Sequence, residues 1–133
     1  MSQIALESAT VNYVVTDVQA TSHFYQRLGF AEVATVPTPD GNCTQWAMLV
    51  QGGATVMLQD APSLATDGFA DQARPATGLV VFIKLTEGLE AQLARVVAAG
   101  LPLAKELHES FYGTREFAVL DPDGVIVVFA QDV

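Results

Sequence analysis

The pattern of apolar and polar positions predicts a strand that leads into a helix, and it does so twice along the chain. Residues 11–17 are typical of a strand that ends at Asp17, whose carboxylate can cap the free N–H groups of a first helical turn. The helix that follows ends at Gly29, and its apolar residues lie near one face: Val18, Phe24, Tyr25 and Leu28. Residues 81–87 repeat the strand and its cap, and the second helix ends at Gly100. The apolar stripe of this second helix is Leu89, Leu93, Val96 and Val97.

Three more strands are predicted after each helix, separated by turns rich in Gly, Pro, Asp and Asn. Their approximate bounds are 31–36, 44–50 and 54–60 in the first half, and 103–107, 114–120 and 125–131 in the second. The chain therefore contains two copies of a strand–helix–three-strand unit. The displacement between the copies is 70 residues from Asp17 to Glu87 but 71 from Gly53 to Gly124. We expect this one-residue difference to lie within the helices.

The two units are predicted to form one domain of the α+β class. Its bounds are 1–133, with module 1 at about 4–60, a connector at 61–77 and module 2 at about 78–131. The connector contains two prolines and a glycine, and one helical turn is expected in it. Each four-stranded sheet covers only one face with its helix, so the other face needs cover. We expect the two sheets to curl together as an eight-stranded cup or to pair with another subunit.

Composition and charge narrow the classes of function. The chain has 133 residues, of which 50% are hydrophobic and 16% charged, as in a globular domain with a buried core and unlike a disordered chain. The formal net charge of −9 repels phosphate backbones and argues against nucleic-acid binding. No apolar stretch approaches the ~18–20 residues of a membrane span, so no membrane association is expected. Residues 1–4 lack the basic start and apolar run of a signal peptide.

The common nucleophilic motifs are not evident in the sequence. The single cysteine, Cys43, excludes an internal disulfide and suits a reducing compartment, so we expect a cytoplasmic protein. Cys43 lies in a polar turn without an activating neighbour and is interpreted as a bystander. Of the two histidines, His23 is expected on the exposed side of the first helix and His108 near a strand end or loop. His108 and Glu109 are interpreted as solvated neighbours, because acid–base work requires a geometry that adjacency alone does not supply.

Two motifs resemble the vicinal oxygen chelate superfamily, also called the glyoxalase/bleomycin-resistance/dioxygenase superfamily. The first runs from Val-Val-Thr-Asp-Val at 14–18 into Phe-Tyr-Gln-Arg-Leu-Gly-Phe at 24–30. The second is Arg-Glu-Phe-Ala-Val-Leu-Asp-Pro-Asp-Gly at 115–124, which is most similar to the bleomycin-resistance branch. The resemblance covers nearly the whole chain apart from the connector. It implies paired modules that build a cup, and a homodimer.

The resemblance also implies where a metal would be held. Enzymes of this superfamily bind a divalent metal with His and Glu side chains that face into the cup. The matching positions in this chain are Thr10, Met57, Val80 or Val81, and Val128. None of these side chains supplies the carboxylate oxygen or imidazole nitrogen that such ions require. We therefore expect no metal, no other cofactor and no catalytic residue, and an enzyme is the less favoured class.

The cup is expected to bind a small molecule. Because side chains alternate along a strand, Met57 and Gln59 share one face of their strand, and Thr10 and Asn12 share one face of the first. Phe111 and Tyr112 precede a glycine on a loop that can overhang the opening. The predicted ligand-binding residues are Thr10, Asn12, Trp46, Met48, Met57, Gln59, Phe111, Tyr112 and Val128. A mostly apolar interior with a few polar groups is typical of small-molecule sites.

Three functions remain open at this point. The first is a metal-free protein that sequesters an aromatic or cationic compound, as the resemblance to the bleomycin-resistance branch implies, with an acidic surface that attracts the ligand. The second is a metal-dependent lyase or dioxygenase of the same superfamily whose ligands lie at other positions. The third is an interaction module with a filled cup and no ligand. The expected partners are a small molecule of unknown identity and a second copy of the chain.

Overall fold

The computed structural model describes residues 3–75 and 77–133. Met1, Ser2 and Ala76, which the predicted domain and connector include, lie outside the described residues. The strands are β1 (Val11–Val14), β2 (Ala31–Pro37), β3 (Thr44–Gln51), β4 (Ala54–Gln59), β5 (Val80–Leu85), β6 (Leu103–Glu109), β7 (Thr114–Leu120) and β8 (Ile126–Asp132). The helices are α1 (Val18–Arg27), α2 (Ala61–Thr66) and α3 (Leu89–Ala98), with a short 3₁₀ turn at Ala70–Gln72.

The strands form two four-stranded mixed sheets. The strand orders are β1-β4-β3-β2 in the first sheet and β5-β8-β7-β6 in the second. In each sheet the first strand runs parallel to the last, and the other neighbours are antiparallel. Among the described residues no ladder joins the two sheets, and neither sheet closes into a barrel. The α+β class and the two strand–helix–three-strand modules are confirmed.

The two main helices begin in different ways. Asp17 caps α1 as predicted, since its carboxylate accepts a hydrogen bond from the Ala20 N–H at 3.1 Å. Helix α3 instead begins after Gly88, which has a φ of +91° and no side chain to act as a cap. The Leu89 N–H there donates to the Gln131 side chain at 3.1 Å. The predicted cap at the end of 81–87 is therefore wrong, because an extra residue separates that strand from its helix.

This extra residue also explains the unequal displacement of the modules. Val11 pairs with Val56 in the first sheet, and Val81 pairs with Val127 in the second, so β1 and β5 are related by 70 residues while β4 and β8 are related by 71. The helices are already related by 71 residues at their first positions. The additional residue is thus Gly88, in the loop before α3, and the expectation that it lies within a helix is wrong. An insertion inside the helix would rotate every later apolar residue away from the core.

The connector contains more helix than the single turn expected. Asp60 caps α2 by accepting a hydrogen bond from the Ser63 N–H at 2.9 Å, and Pro62 occupies an early helical position where its missing N–H costs nothing. The 3₁₀ turn follows. Among the described residues, no helix has the length and hydropathy that crossing a membrane requires.

Buried side chains from both modules form one hydrophobic cluster. The largest fully buried ones are Tyr25, Phe24, Phe117 and Phe129. Phe117 and Phe129 stack with ring centroids 5.4 Å apart. All four predicted stripe residues of α1 are buried, whereas Val97 of the predicted α3 stripe is 62% exposed. Since helix and sheet bury the same face in each module, the opposite face of each sheet lies outside this core.

A polar contact inside the core joins the two modules. The Tyr13 hydroxyl donates to Oδ2 of Asp121 at 2.8 Å and lies 2.9 Å from the Tyr25 hydroxyl. The other carboxylate oxygen, Oδ1, accepts hydrogen bonds from the Asp123 and Val125 N–H groups at 2.9 and 2.8 Å. Both oxygens of the Asp121 carboxylate thus accept hydrogen bonds, and they tie β1 to the β7–β8 turn.

Alkaline pH is expected to weaken this joint. Burial raises the pKa of the Tyr13 and Tyr25 hydroxyls above the usual value of about 10, and the Asp121 carboxylate adds to the effect. Above pH 10 the unfolded chain releases these protons while the folded chain keeps them, so the free energy of unfolding falls. Between pH 9 and 10.5 we expect a loss of about 1.5 kcal/mol for the two tyrosines together. Urea unfolding at several pH values, with Tyr13→Phe for comparison, measures it; a flat profile to pH 10.5 would contradict it.

A second contact between the modules involves the end of α1. The Leu28 carbonyl accepts hydrogen bonds from Gln92 Nε2 at 2.9 Å and from Arg95 Nη1 at 3.2 Å, both on α3. Gly29 follows with a φ of +97°. The Arg95 guanidinium therefore packs directly over the glycine that ends α1, where a side chain would not fit.

Candidate functional site

The outer face of the first sheet, which is the face away from the core, brings together five of the nine predicted residues. Met57 pairs with Asn12 on one side and with Met48 on the other, while Gln59 pairs with Trp46 in the next row. Trp46, Met48 and Met57 are half-buried, in contrast to Leu58 and Ala47, which alternate with them and are fully buried in the core. This arrangement gives a soft apolar surface with two amides at its edge.

The amide of Gln59 is occupied by protein contacts. Its side-chain oxygen accepts a hydrogen bond from Asn12 Nδ2 at 3.0 Å, and its Nε2 donates to Oδ2 of Asp67 at 2.9 Å. Gln59 is only 7% exposed, and Asp67 lies at the end of α2. The side chain of Gln59 therefore anchors the connector to the first sheet, and Asn12 is the more exposed of the two amides.

Thr10 lies before the first residue of β1 and is exposed. It therefore stands outside the strand on which it was predicted to share a face with Asn12. No pairing with a neighbouring strand positions its side chain.

On the second sheet, Val128 occupies the outer face. It pairs with Phe82 of β5 on one side and with Ala118 of β7 on the other. Phe82 is 49% exposed, a large amount for a phenylalanine in a strand. Phe82 was not among the predicted site residues, although its place in the alternation of β5 was the available signal.

A buried carboxylate on this outer face was also missed. Glu116 lies on β7 between Ala130 and His108 of the neighbouring strands and is 8% exposed. It accepts hydrogen bonds from the Tyr112 hydroxyl, 2.8 Å from each carboxylate oxygen, and from the Thr114 hydroxyl at 2.8 Å. The sequence signal was the alternation with Phe117, which lies in the core, so that Glu116 must point to the other face.

His108 is the penultimate residue of β6, so it lies near a strand end as expected, and it belongs to this same surface. Strand β6 continues to Glu109, and His108 pairs with Glu116 across the hairpin. Its Nε2 lies 3.7 Å from Oε1 of Glu116, and its Nδ1 lies 2.7 Å from the Glu106 carbonyl. The partner of His108 is therefore Glu116, and not the adjacent Glu109.

The loop at 110–113 presents two aromatic rings beside Glu116. Phe111 is fully exposed, and Tyr112 is 53% exposed. The rings meet edge to face with centroids 5.1 Å apart. Since the Tyr112 hydroxyl donates to the Glu116 carboxylate, the pKa of Tyr112 is raised. The hydroxyl of Tyr112 thus holds the loop against the sheet while Phe111 projects into solvent.

The residues at the positions matched to metal ligands do not fit a divalent ion. Thr10 is exposed and outside a strand, Met57 and Val128 are half-buried, and Val80 is 48% exposed. A thioether and hydrocarbon side chains do not replace carboxylate or imidazole ligands for hard or borderline ions. Within residues 3–75 and 77–133, no group of three or more His, Cys, Asp or Glu side chains converges as a metal site would require.

A cleft of about 700 Å³ lies elsewhere, between the modules. Strand β5 lines it along its full length, together with Val11, Phe30 and the start of β4. None of the nine predicted residues lines this cleft. Six of the nine lie instead on open sheet faces, and Thr10, Phe111 and Tyr112 lie outside the strands.

Comparison with known proteins identifies the group to which this architecture is similar. The family model of the Glyoxalase/Bleomycin resistance protein/Dioxygenase superfamily matches residues 8–129. The uncharacterized protein Mb0911c of Mycobacterium bovis is 32% identical over 113 residues, which cover 84% of this chain and 74% of that protein.

Solved structures share the fold at lower identity. A bleomycin-binding protein complexed with bleomycin is 19% identical, with a TM-score of 0.69 over 96% of this chain and 100% of the other. Lactoylglutathione lyase from Agrobacterium tumefaciens is 18% identical, with a TM-score of 0.71 over 96% and 95% of the two chains. A binding protein and an enzyme therefore resemble this chain equally well in backbone, so side-chain chemistry must decide between them.

Proposed function

The chain belongs to the glyoxalase/bleomycin resistance protein/dioxygenase superfamily, and on that basis we propose that it is a metal-free protein that binds and sequesters a small aromatic or cationic molecule. The observation that carries the proposal is the chemistry at the positions matched to metal ligands. Met57 and Val128 occupy two of them, and both lie on outer sheet faces beside other large apolar side chains. Such surfaces exclude water around an organic ligand and contain no side-chain atoms that would ligate a divalent metal ion.

The ligand is proposed to contact both outer faces. The first sheet contributes Trp46, Met48 and Met57, whose flexible thioethers and indole adapt to irregular apolar shapes. The second sheet contributes Val128 and the aromatic loop at 110–113. Asn12 supplies a polar group, and Thr10 stands at the approach to the first sheet. The bleomycin-binding protein shows that this fold can hold a large organic ligand.

A homodimer is proposed to complete the cup. Several large apolar side chains of the outer faces and sheet edges are exposed in a single chain: Val11 38%, Val80 48%, Phe82 49%, Leu120 49% and Ile126 39%. A second copy laid against these surfaces would remove them from water and enclose the ligand between two sheets.

The absence of any internal disulfide partner for Cys43 supports a location in the cytoplasm.

Thermal unfolding in the presence of candidate ligands tests this function. The panel is nickel, zinc, iron and manganese with and without EDTA, and a set of antibiotics and aromatic cations. A molecule that binds only the folded chain raises the melting temperature as its concentration increases. We expect a rise with at least one organic compound and none with the metals.

A pair of lysine substitutions locates the binding surface. Met57→Lys places a charge on the outer face of the first sheet and is expected to weaken binding at least about tenfold. Val97→Lys adds the same charge on the exposed side of α3 and is expected to leave binding unchanged. A metal-induced rise that EDTA reverses would contradict the metal-free function and favour a lyase or dioxygenase. No rise with any compound would contradict the binding function.

A further inference from the structure

The carboxylate of Glu116 is buried without a permanent counter-charge. Glu116 is 8% exposed, on the outer face of the second sheet rather than in the core. Within residues 3–75 and 77–133, no lysine or arginine nitrogen lies within 4.0 Å of its oxygens, since its single ionic neighbour is His108. Burying a charge is unfavourable unless it is paired and hydrogen-bonded. Glu116 is hydrogen-bonded but not paired.

The basic residues closest to Glu116 in the sheet are committed elsewhere. Arg115, its neighbour on β7, forms an ion pair with Glu90 at the start of α3. Lys84, in the same row across Ala130, forms a 2.9 Å ion pair with Asp132. These two pairs are exposed, whereas the buried carboxylate of Glu116 has no lysine or arginine partner in the part of the chain that the structure describes.

The groups around Glu116 orient it without neutralising it. The Tyr112 and Thr114 hydroxyls are neutral donors, and they leave capacity because two carboxylate oxygens accept about four hydrogen bonds. The Nδ1 atom of His108 lies 2.7 Å from the Glu106 carbonyl, which can only accept, so the ring's proton is held on that side. The ring's Nε2 lies 3.7 Å from Glu116, beyond hydrogen-bond distance, and an imidazole is not a permanent cation as lysine and arginine are.

Aromatic rings flank the same carboxylate. The Tyr112 ring reaches Glu116 through its hydroxyl, and the fully exposed Phe111 meets it edge to face. Aromatic faces attract cations, most strongly where water is excluded. The carboxylate and the Tyr112 ring meet at the outer face, Phe111 packs on that ring from the solvent side, and all three groups favour a positive charge nearby.

We infer that Glu116 binds a protonated amine of the ligand, with the Phe111 and Tyr112 rings beside the ammonium group. The inference rests on the proposed function and deepens it, because it names the ligand as an amine attached to an apolar or aromatic body. The amine N–H groups donate hydrogen bonds to the acceptor sites of the carboxylate that the Tyr112 and Thr114 hydroxyls leave free. Its positive charge gives Glu116 the counter-charge that the chain itself does not provide.

Three probes with the same ring system test the inference on the full chain. They are 1-naphthylmethylamine, which is cationic, 1-naphthalenemethanol, which is neutral, and 1-naphthoate, which is anionic. Dissociation constants are measured by calorimetry for the wild type, for Glu116→Gln and for the control Glu109→Gln. The control removes one negative charge from an exposed carboxylate of the same hairpin, so it reproduces the change in net charge without changing the site.

The wild type and Glu109→Gln are expected to bind the amine about tenfold more tightly than the alcohol, and the naphthoate most weakly. Glu116→Gln is expected to bind amine and alcohol equally. A preference for the amine that survives in Glu116→Gln overturns the inference, and so does equal binding of amine and alcohol by the wild type. In the latter case the proposed binding function stands. If none of the three probes binds the wild type, the inference is overturned. The proposal that the outer faces bind an aromatic ligand is then overturned as well.

A second measurement keeps the test valid if Glu116→Gln does not fold. In two-dimensional ¹H–¹⁵N spectra of the wild type, the amine is expected to shift the backbone signals of residues 108–116 in a saturable way, while equal concentrations of the alcohol leave them in place. Saturable shifts confined to other residues would overturn the inference.

Discussion

Replacing Asp121 by alanine is expected to lower the free energy of unfolding by about 3–5 kcal/mol. The change removes the acceptor of the Tyr13 hydroxyl and of two backbone N–H groups in the β7–β8 turn. Asp121 is only 4% exposed, so water does not replace the lost acceptor. Each hydrogen bond to a charged group is worth about 1.5–3 kcal/mol, and bonds that share one acceptor do not add fully.

The neighbouring Asp123→Ala provides the control. Its carboxylate accepts a single hydrogen bond, from the exposed Thr16 N–H at 2.8 Å, although it also spans the two modules. We expect a loss of about 1 kcal/mol there. Urea unfolding of both variants, followed by fluorescence and by circular dichroism, gives the two values. Equal losses would mean that the Tyr13–Asp121 contact is not the principal polar joint between the modules.

Gly29→Ala is expected to cost about 2–3 kcal/mol, more than the same change at Gly100. Both glycines follow a helix and have positive φ, +97° and +73°. A Cβ atom at Gly29 would lie 1.8 Å from Arg95 Nη1, whereas at Gly100 it would meet nothing within 4 Å. The guanidinium must therefore move and release the Leu28 carbonyl.

Gly100→Ala isolates the backbone contribution, since it carries the strain of positive φ without a collision. Its cost is expected to be about 1–2 kcal/mol. The difference between the two losses in unfolding free energy measures what the Arg95 contact contributes. It should disappear when each glycine is replaced separately in an Arg95→Ala background. A difference that persists there would show that Arg95 is not its cause.

The secondary structure was largely predictable because its signals are local. Period-two patterns, the Asp17 cap and the terminal glycines each act over a few residues, and the observed strands agree closely with the predicted ones. Gly88 was the exception. A glycine between a strand and a helix gives no sign of whether it ends the loop or begins the helix. The one-residue shift in the start of α3 therefore became evident only from the pairing of β5 with β8, compared with that of β1 with β4.

The candidate site was predictable only in part, for a related reason. Alternation places Met57 and Gln59 on one face, and that inference needs nothing beyond a single strand. The Glu116 cluster needs the register of β6 against β7, which includes irregular pairing between Leu103 and His108. The joint between Tyr13 and Asp121 spans 108 positions in the chain. Contacts of this kind depend on how whole elements dock, which no short stretch of sequence records.

The joint also shows that the two halves are no longer interchangeable. At the equivalent positions of the opposite halves, Tyr13, Tyr25 and Asp121 are matched by Ile83, Val96 and Gln51. Hydroxyl and carboxylate groups therefore meet at one of two related places, whereas two aliphatic side chains and an amide occupy the other. A tandem of two first modules would lack the carboxylate, and a tandem of two second modules would lack both tyrosine hydroxyls. Divergence between two like copies has thus left the donor in one half and its charged acceptor in the other.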